Sequence, residues 1–117
     1  MLSKERVIKA LRGLGLSSGD AQVYIFLATT GHQEIREITS ALNFSEKKVH
    51  RSLKDLQSMS IIKASIEYPL TFEALPFEEV VNLIIEVKKE QAKTLKATRE
   101  ELLVTWRSIT EKDAEKS

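Results

Sequence analysis

Apolar positions along the chain change their period several times, and each change marks an element. Val7, Leu11 and Leu14 recur at helical spacing, which predicts a helix over 3–13 stopped by Gly13 and Gly15. From Ser17 or Ser18 as cap to about Thr30 the chain is apolar on most sides: Ala21, Val23, Tyr24, Ile25, Phe26, Leu27, Ala28. Such a helix is covered by neighbours all round. Asp20 in its first turn suits the helix dipole, and Gly31 ends it. Ile35, Ile38 and Leu42 stand at i, i+3 and i+7, predicting a short helix over 34–42. Its start is expected to be soft, because Glu34 stands where Ser or Thr usually caps.

Asn43-Phe44-Ser45 follows. Asn tolerates the left-handed backbone of a tight turn, and Ser45 is a good N-cap for a helix over 46–58. Residues 61–66 and 70–75 then read as two strands around a turn at Glu67-Tyr68-Pro69. Pro69 lies at the second strand's entrance, where no ladder donor is needed. Pro76 opens a last helix at its first position, with Glu78 and Glu79 in the first turn. Nothing is expected to break it before about Thr110. Phe77, Val81, Ile84, Leu95, Leu102, Trp106 and Ile109 recur near coiled-coil spacing, interrupted by Lys88, Gln91 and Thr98. The charged tail from Glu111 onward is expected to fray.

These elements make a mainly α chain with one small β-hairpin. Three helices, the last two joined by a tight turn and followed by a hairpin, have the layout of a winged helix-turn-helix. In that layout the second helix of the pair enters the major groove. The segment 46–58 suits the role. At 100° per residue Val49, Leu53 and Leu56 fall within about 60° of one another, while Lys47, Arg51, Lys54 and Ser58 cluster within about 60° on the opposite side. Three cations one turn apart on an outward face match phosphate and base-edge contact. Lys48 and His50 flank the stripe, and Ser45 and Lys63 complete the expected DNA-contacting set. Lys47 and Lys48 also lie in a helix's first turn, where the dipole disfavours cations and a bound polyanion offsets the cost.

The expected organisation is therefore a DNA-binding domain over 1–75 and a long helix over 76–117 with a frayed tail. That helix is too long for its own domain to cover. Leu95, Leu102, Leu103, Trp106 and Ile109 in its far half point to a homodimer, with antiparallel pairing expected.

Composition narrows the remaining choices. Lys and Arg number 18 against 17 Asp and Glu, so any nucleic-acid surface is a local patch. The chain has no cysteine and only two histidines, which excludes disulfides, a thiol nucleophile and a Cys- or His-based metal cage. No Gly-rich phosphate loop, nucleophile elbow or His-Glu-x-x-His pattern occurs, and the carboxylates Glu78, Glu79, Glu86 and Glu90 face no second acid or base motif. The expectation is not an enzyme, with no cofactor and no indicated small-molecule effector. No apolar run reaches membrane-spanning length and the first residues hold no signal peptide, so no membrane and a cytoplasmic location are expected. His32, beside Gly31, reads as a solvated loop residue. Tyr68 and Pro69 read chiefly as turn-shaping residues.

Several runs carry a family resemblance. Leu14-Gly15-Leu16-Ser17, Ala21-Gln22-Val23-Tyr24 with Leu27, Ile38-Thr39, Lys48-Val49-His50-Arg51-Ser52-Leu53 with Leu56, and Phe72-Glu73-Ala74-Leu75-Pro76 with Glu79 resemble the TrmB-like family of archaeal transcriptional regulators over about residues 14–85. MarR-like and ArsR-like winged helices share much of the pattern. The resemblance implies a winged-helix fold, double-stranded DNA bound through 46–58, a dimer, and transcriptional regulation. Where the family often has Gly, this chain has Asn43 and Ser60. Its hairpin tip carries Glu67 and no cation, and Lys63 is the hairpin's single cation. Larger members add a carbohydrate-sensing domain; this chain reads as a short form, so sugar sensing is not expected. The rival expectations are a winged-helix protein-interaction module and an architectural DNA binder without sequence preference.

Overall fold

Backbone conformation is set first at the helix ends. The computed structural model describes residues 2–116, with side chains from residue 4 to residue 112. Helix α1 (Leu2–Arg12) ends in a turn in which Gly15 takes φ +90°. Helix α2 (Ser18–Thr30) starts on a reciprocal cap: the Asp20 amide donates to Ser17 Oγ at 3.0 Å, and the Ser17 amide donates to the Asp20 carboxylate at 3.2 Å. Gly31 closes it at φ +86°. Helix α3 (Ile35–Leu42) turns Ile38 into the core. Its start is firmer than expected, because the Glu34 amide donates to the Glu37 carboxylate at 3.0 Å; the brace comes from the third helical residue reaching back. Asn43 makes the left-handed turn at φ 55°. Ser45 then caps α4 (Glu46–Ser58), its hydroxyl accepting the Lys48 amide at 3.1 Å.

Helix α2 is the centre of the domain. Ala21, Val23, Tyr24 and Leu27 are buried on it, and it packs against α1, α3, α4 and the hairpin. Val49, Leu53 and Leu56 of α4 close the core from the other side.

Strands β1 (Ile62–Ala64) and β2 (Phe72–Ala74) pair antiparallel, with Ile62 opposite Ala74, Lys63 opposite Glu73 and Ala64 opposite Phe72. Both are shorter than the apolar runs suggest, because the Ser65 hydroxyl takes over beyond the ladder. It accepts the Thr71 amide at 2.9 Å and faces the carbonyls of Glu67 and Pro69 at 3.1 and 3.3 Å. A third row was not foreseen: Gln33 exchanges two backbone bonds with Phe72, at 3.1 and 2.9 Å. One residue in a four-residue loop carries no alternation to reveal it.

Ser60 adopts φ 60° just after α4. A non-glycine residue is strained there, so Ser60→Gly is expected to stabilise the fold by about 0.5–1 kcal/mol net of glycine's extra chain entropy. Urea unfolding checks this; an unchanged or lowered midpoint contradicts it.

Helix α5 (Phe77–Ala97) belongs to the domain by its first turns. Val80 is fully buried, and the Phe77 ring lies 6.5 Å from the Tyr24 ring. The Tyr24 hydroxyl donates to the Leu75 carbonyl at 2.6 Å, and burial pushes its pKa up to about 12. The compact N-terminal unit accordingly runs Met1–Ile84, and a second unit covers Ile85–Ser117.

In the second unit the expected uninterrupted helix is corrected. Helix α5 stops at Ala97, and α6 (Arg99–Lys116) starts after Thr98. Thr98 closes one ladder and opens the next: its amide donates to the Thr94 carbonyl and its carbonyl accepts the Leu102 amide, each at 3.0 Å. Its hydroxyl turns back on the Thr94 carbonyl at 2.9 Å, a bond that bends helices. Glu100 and Glu101 then favour a fresh helix N-terminus. Thr98-Arg99-Glu100-Glu101 has the Thr-x-x-Glu spacing of a helix start, a signal overridden by the apolar periodicity on either side. Helix α6 continues to Lys116, beyond the end expected near Thr110. No helix among the described residues is long and apolar enough to cross a membrane.

Candidate nucleic-acid interface

The amphipathic division of α4 fixes which side chains face outward. Val49, Ser52, Leu53 and Leu56 are buried, so Lys47, Arg51, Lys54 and Ser58 are exposed together on the opposite face. Among the described residues none of the three forms an ion pair, which leaves them available to an anionic partner. His50 is exposed beside them, its Nε2 3.6 Å from the Glu46 carboxylate one turn back. Ser45 is exposed, and its hydroxyl is engaged in the cap.

Two of the expected contacts have other neighbours. Lys48 holds its ammonium 3.8 Å from the Phe44 ring centroid and runs its stem past Gly19, where an added Cβ would lie 3.0 Å from Lys48 Cε. Lys63 sits on β1 directly opposite Glu73, so a carboxylate stands across the ladder from it. Glu73 also faces His32 at 3.5 Å, tying the loop after α2 to the hairpin.

Structure adds residues that the sequence reading passed over. A cleft of about 690 Å³ separates the wing from the helix pair, lined by Arg36, Thr39 and Ser40 of α3, Glu46 of α4 and Tyr68, Pro69 and Leu70 of the wing. Arg36 is exposed and lies 3.1 Å from Glu34. The signal was present: Arg36 and Ser40 share one face of α3, opposite buried Ile38. At the wing tip, Ile66 and Tyr68 are almost completely exposed, at 103% and 97%.

Asp55 lies where α4 meets α2. Desolvation and the adjacent Asp20 carboxylate hold its pKa above the usual carboxylate value, while Arg51 and Lys54 pull it back. The folded state therefore favours protonated Asp55. Its contribution is most favourable below the ordinary Asp pKa and is lost as pH rises through the raised one. Asp55→Asn is expected to raise the neutral-pH melting temperature while leaving stability near pH 3 almost unchanged; equal shifts at both pH values would contradict the carboxylate pairing.

In the C-terminal unit Leu95, Leu102, Trp106 and Ile109 are exposed at 61, 52, 61 and 48%, and Leu103 is half-buried. Leu102, Trp106 and Ile109 form one stripe along α6. Val104, also exposed, was not foreseen and lies off that stripe.

Helices α2, α3 and α4 with a two-stranded wing define a winged-helix fold. Residues 11–78, more than half of the chain, match the family described as "Sugar-specific transcriptional regulator TrmB", and the chain belongs to that family. It is 28% identical over 94 residues to an uncharacterized protein of Methanocaldococcus jannaschii, covering 75% of this chain and 71% of that one. Among solved structures it is similar to a possible transcriptional regulator from Methanosarcina mazei, with a TM-score of 0.70 at 17% identity over 80% of this chain and 85% of that one. A variant of Staphylococcus aureus MepR bound to an oligodeoxyribonucleotide gives 0.56 at 15% identity, over 97% and 89%. The family is one of transcriptional regulators.

Proposed function

We propose that this chain binds duplex DNA as a homodimer, lays α4 in the major groove and regulates transcription from the bound site. The exposed row Lys47, Arg51 and Lys54 carries the reading. It lies on the helix that a winged-helix fold offers to a groove, opposite an apolar face that fixes its direction. Lys47 and Lys54 serve as phosphate contacts, and Arg51, mid-helix, reads a base edge, since its planar fork matches guanine. Ser45 and His50 flank the contact. Lys48 and Lys63 contribute less, one folded on Phe44 and the other facing Glu73.

The N-terminal unit supplies the DNA contact. The apolar stripe of α6, with Leu95 and Leu103, supplies the dimer. Two copies would present their α4 helices about one helical turn, roughly 34 Å, apart. No cofactor or effector enters this reading. Fluorescence anisotropy on duplex DNA across a salt series tests it: log affinity should fall linearly with log salt by about 0.9 per phosphate contacted. No binding at low salt would remove the DNA reading and leave the winged helix as a protein-interaction module.

A further inference from the structure

Helix α1 is the most basic helix of the chain. Lys4, Arg6, Lys9 and Arg12 stand against one carboxylate, Glu5, so α1 bears a net +3 where the whole chain bears +1. All five side chains are exposed, and among the described residues none of them forms an ion pair. Lys9 and Arg12, in the last turn, complement the helix dipole, but Lys4 in the first turn opposes it, so the dipole does not account for the whole charge. Lys9 and Arg12 line a concavity of about 790 Å³ at the α1–α2 turn, together with Glu5, Gly15 and Ser18. Gly15 is exposed there, and a Cβ added to it would meet nothing within 4 Å, so the floor is bare backbone that an extended strand can approach.

The start of α2 joins this concavity to the groove helix. Ser18 lines the concavity, and the next residue, Gly19, is buried beside Lys48, whose Nζ would lie 3.7 Å from a Cβ added there. Lys48 is exposed at the first turn of α4, next to Lys47. Its ammonium lies between the Phe44 ring and the start of α2, with no carboxylate in an ion pair among the described residues. Lys47, Lys48, Ser18, Arg12 and Lys9 thus lead from the first turn of α4 across α2 to α1. Asp20, next along α2, is buried and accepts the Ser17 amide, so it does not oppose this series. Glu5 is the one carboxylate lining the concavity. A duplex whose major groove holds α4 carries a sugar–phosphate strand along each side of that helix, and the strand on the α2 side runs over the series. Exposed cations on a helix surface suit phosphates, which recur along a strand whatever its sequence.

We propose that Lys9 and Arg12 of α1, reached through Lys48 and Ser18, form a second phosphate-binding surface that carries the DNA contact beyond the groove helix onto the α1–α2 turn. This rests on the DNA-binding reading above and adds a sequence-independent component to it. Lys9 and Arg12 meet the backbone and no base, so they strengthen binding and steepen its salt dependence on every duplex alike.

The test uses the full chain and two fluorescein-labelled duplexes of equal length and unrelated sequence, titrated across a salt series. The double variant Lys9→Gln, Arg12→Gln should flatten the slope of log affinity against log salt by about 1.8, close to 0.9 for each lost contact, on both duplexes. It should weaken binding at moderate salt by on the order of tenfold or more, and leave the ratio of the two affinities unchanged. Glu5→Gln should tighten binding to both duplexes, since it removes a carboxylate beside the strand. Ser18→Asp places an anion in the path while favouring the start of α2. It should therefore weaken both duplexes without lowering the melting temperature. If Lys47→Ala weakens binding while the double variant keeps the parental affinity and slope, α1 does not touch DNA and the proposal is wrong. It is equally wrong if the double variant loses affinity at an unchanged slope, because the loss then comes through the fold. If the parent binds neither duplex at low salt, the DNA-binding reading itself fails and the α1 surface falls with it.

Discussion

The triple variant Lys47→Ala, Arg51→Ala, Lys54→Ala is expected to fold like the parent and to lose nearly all affinity for duplex DNA. All three side chains are exposed, opposite Val49, Leu53 and Leu56, and surface changes of this kind cost within about 0.5 kcal/mol of stability. The single variants divide the loss by mechanism. Lys47→Ala should weaken every sequence alike and flatten the salt slope by about one unit, because one phosphate contact is removed. Arg51→Ala should cost about 1–3 kcal/mol on the preferred site and much less on random DNA, because a lost bidentate base contact matters only where the base is correct. Equal losses on both would make Arg51 a phosphate contact and favour an architectural role without sequence preference. A folded triple variant that binds as tightly as the parent would take α4 out of the groove.

Ending the chain after Ala97 is expected to convert a dimer into a monomer while leaving the N-terminal unit folded. The truncation removes Leu102, Leu103, Trp106 and Ile109. Covering a Leu-sized side chain stabilises by roughly 1.5–3 kcal/mol, so four per subunit support a micromolar or tighter dimer. The core residues Leu11, Tyr24, Leu27, Ile38, Leu56, Ile61 and Val80 all lie before the cut. Trp106→Ala alone should weaken dimerisation at least tenfold, since a large aromatic in the middle of the stripe carries a disproportionate share of an interface. Sedimentation of the parent as a monomer at micromolar concentration would refute the dimer, and loss of cooperative unfolding on truncation would show α6 to be part of the fold instead.

Binary patterning left most of the fold legible. Helix α4 spans the residues that Ser45 and the Val49, Leu53, Leu56 row predict, because one N-cap and one 3.6-residue period specify both start and face. The left-handed turn at Asn43 and the ends at Gly15 and Gly31 follow from which residues tolerate positive φ. The basic stripe was legible for the same reason: once the buried face is known, the outward face is its complement. Arg36 and Ser40 were equally available on α3 and were passed over because Ile35, Ile38 and Leu42 drew the reading to the core.

Tertiary structure decided what no local pattern encodes. Pairing of Gln33 with Phe72 depends on where a loop is carried after α2. The passage of the Lys48 stem beside Gly19, and the raised pKa of Asp55 near Asp20, arise between groups far apart in sequence. Tyr24 reaching the Leu75 carbonyl draws the start of α5 into the domain and moves its edge to Ile84. At Thr98 the hydrophobic period runs on while the helix divides into α5 and α6, a division that the apolar count does not register. Periodicity reports which residues seek cover; whether the backbone between them stays continuous, and which distant groups meet, is settled only when the packed chain fixes each hydrogen bond.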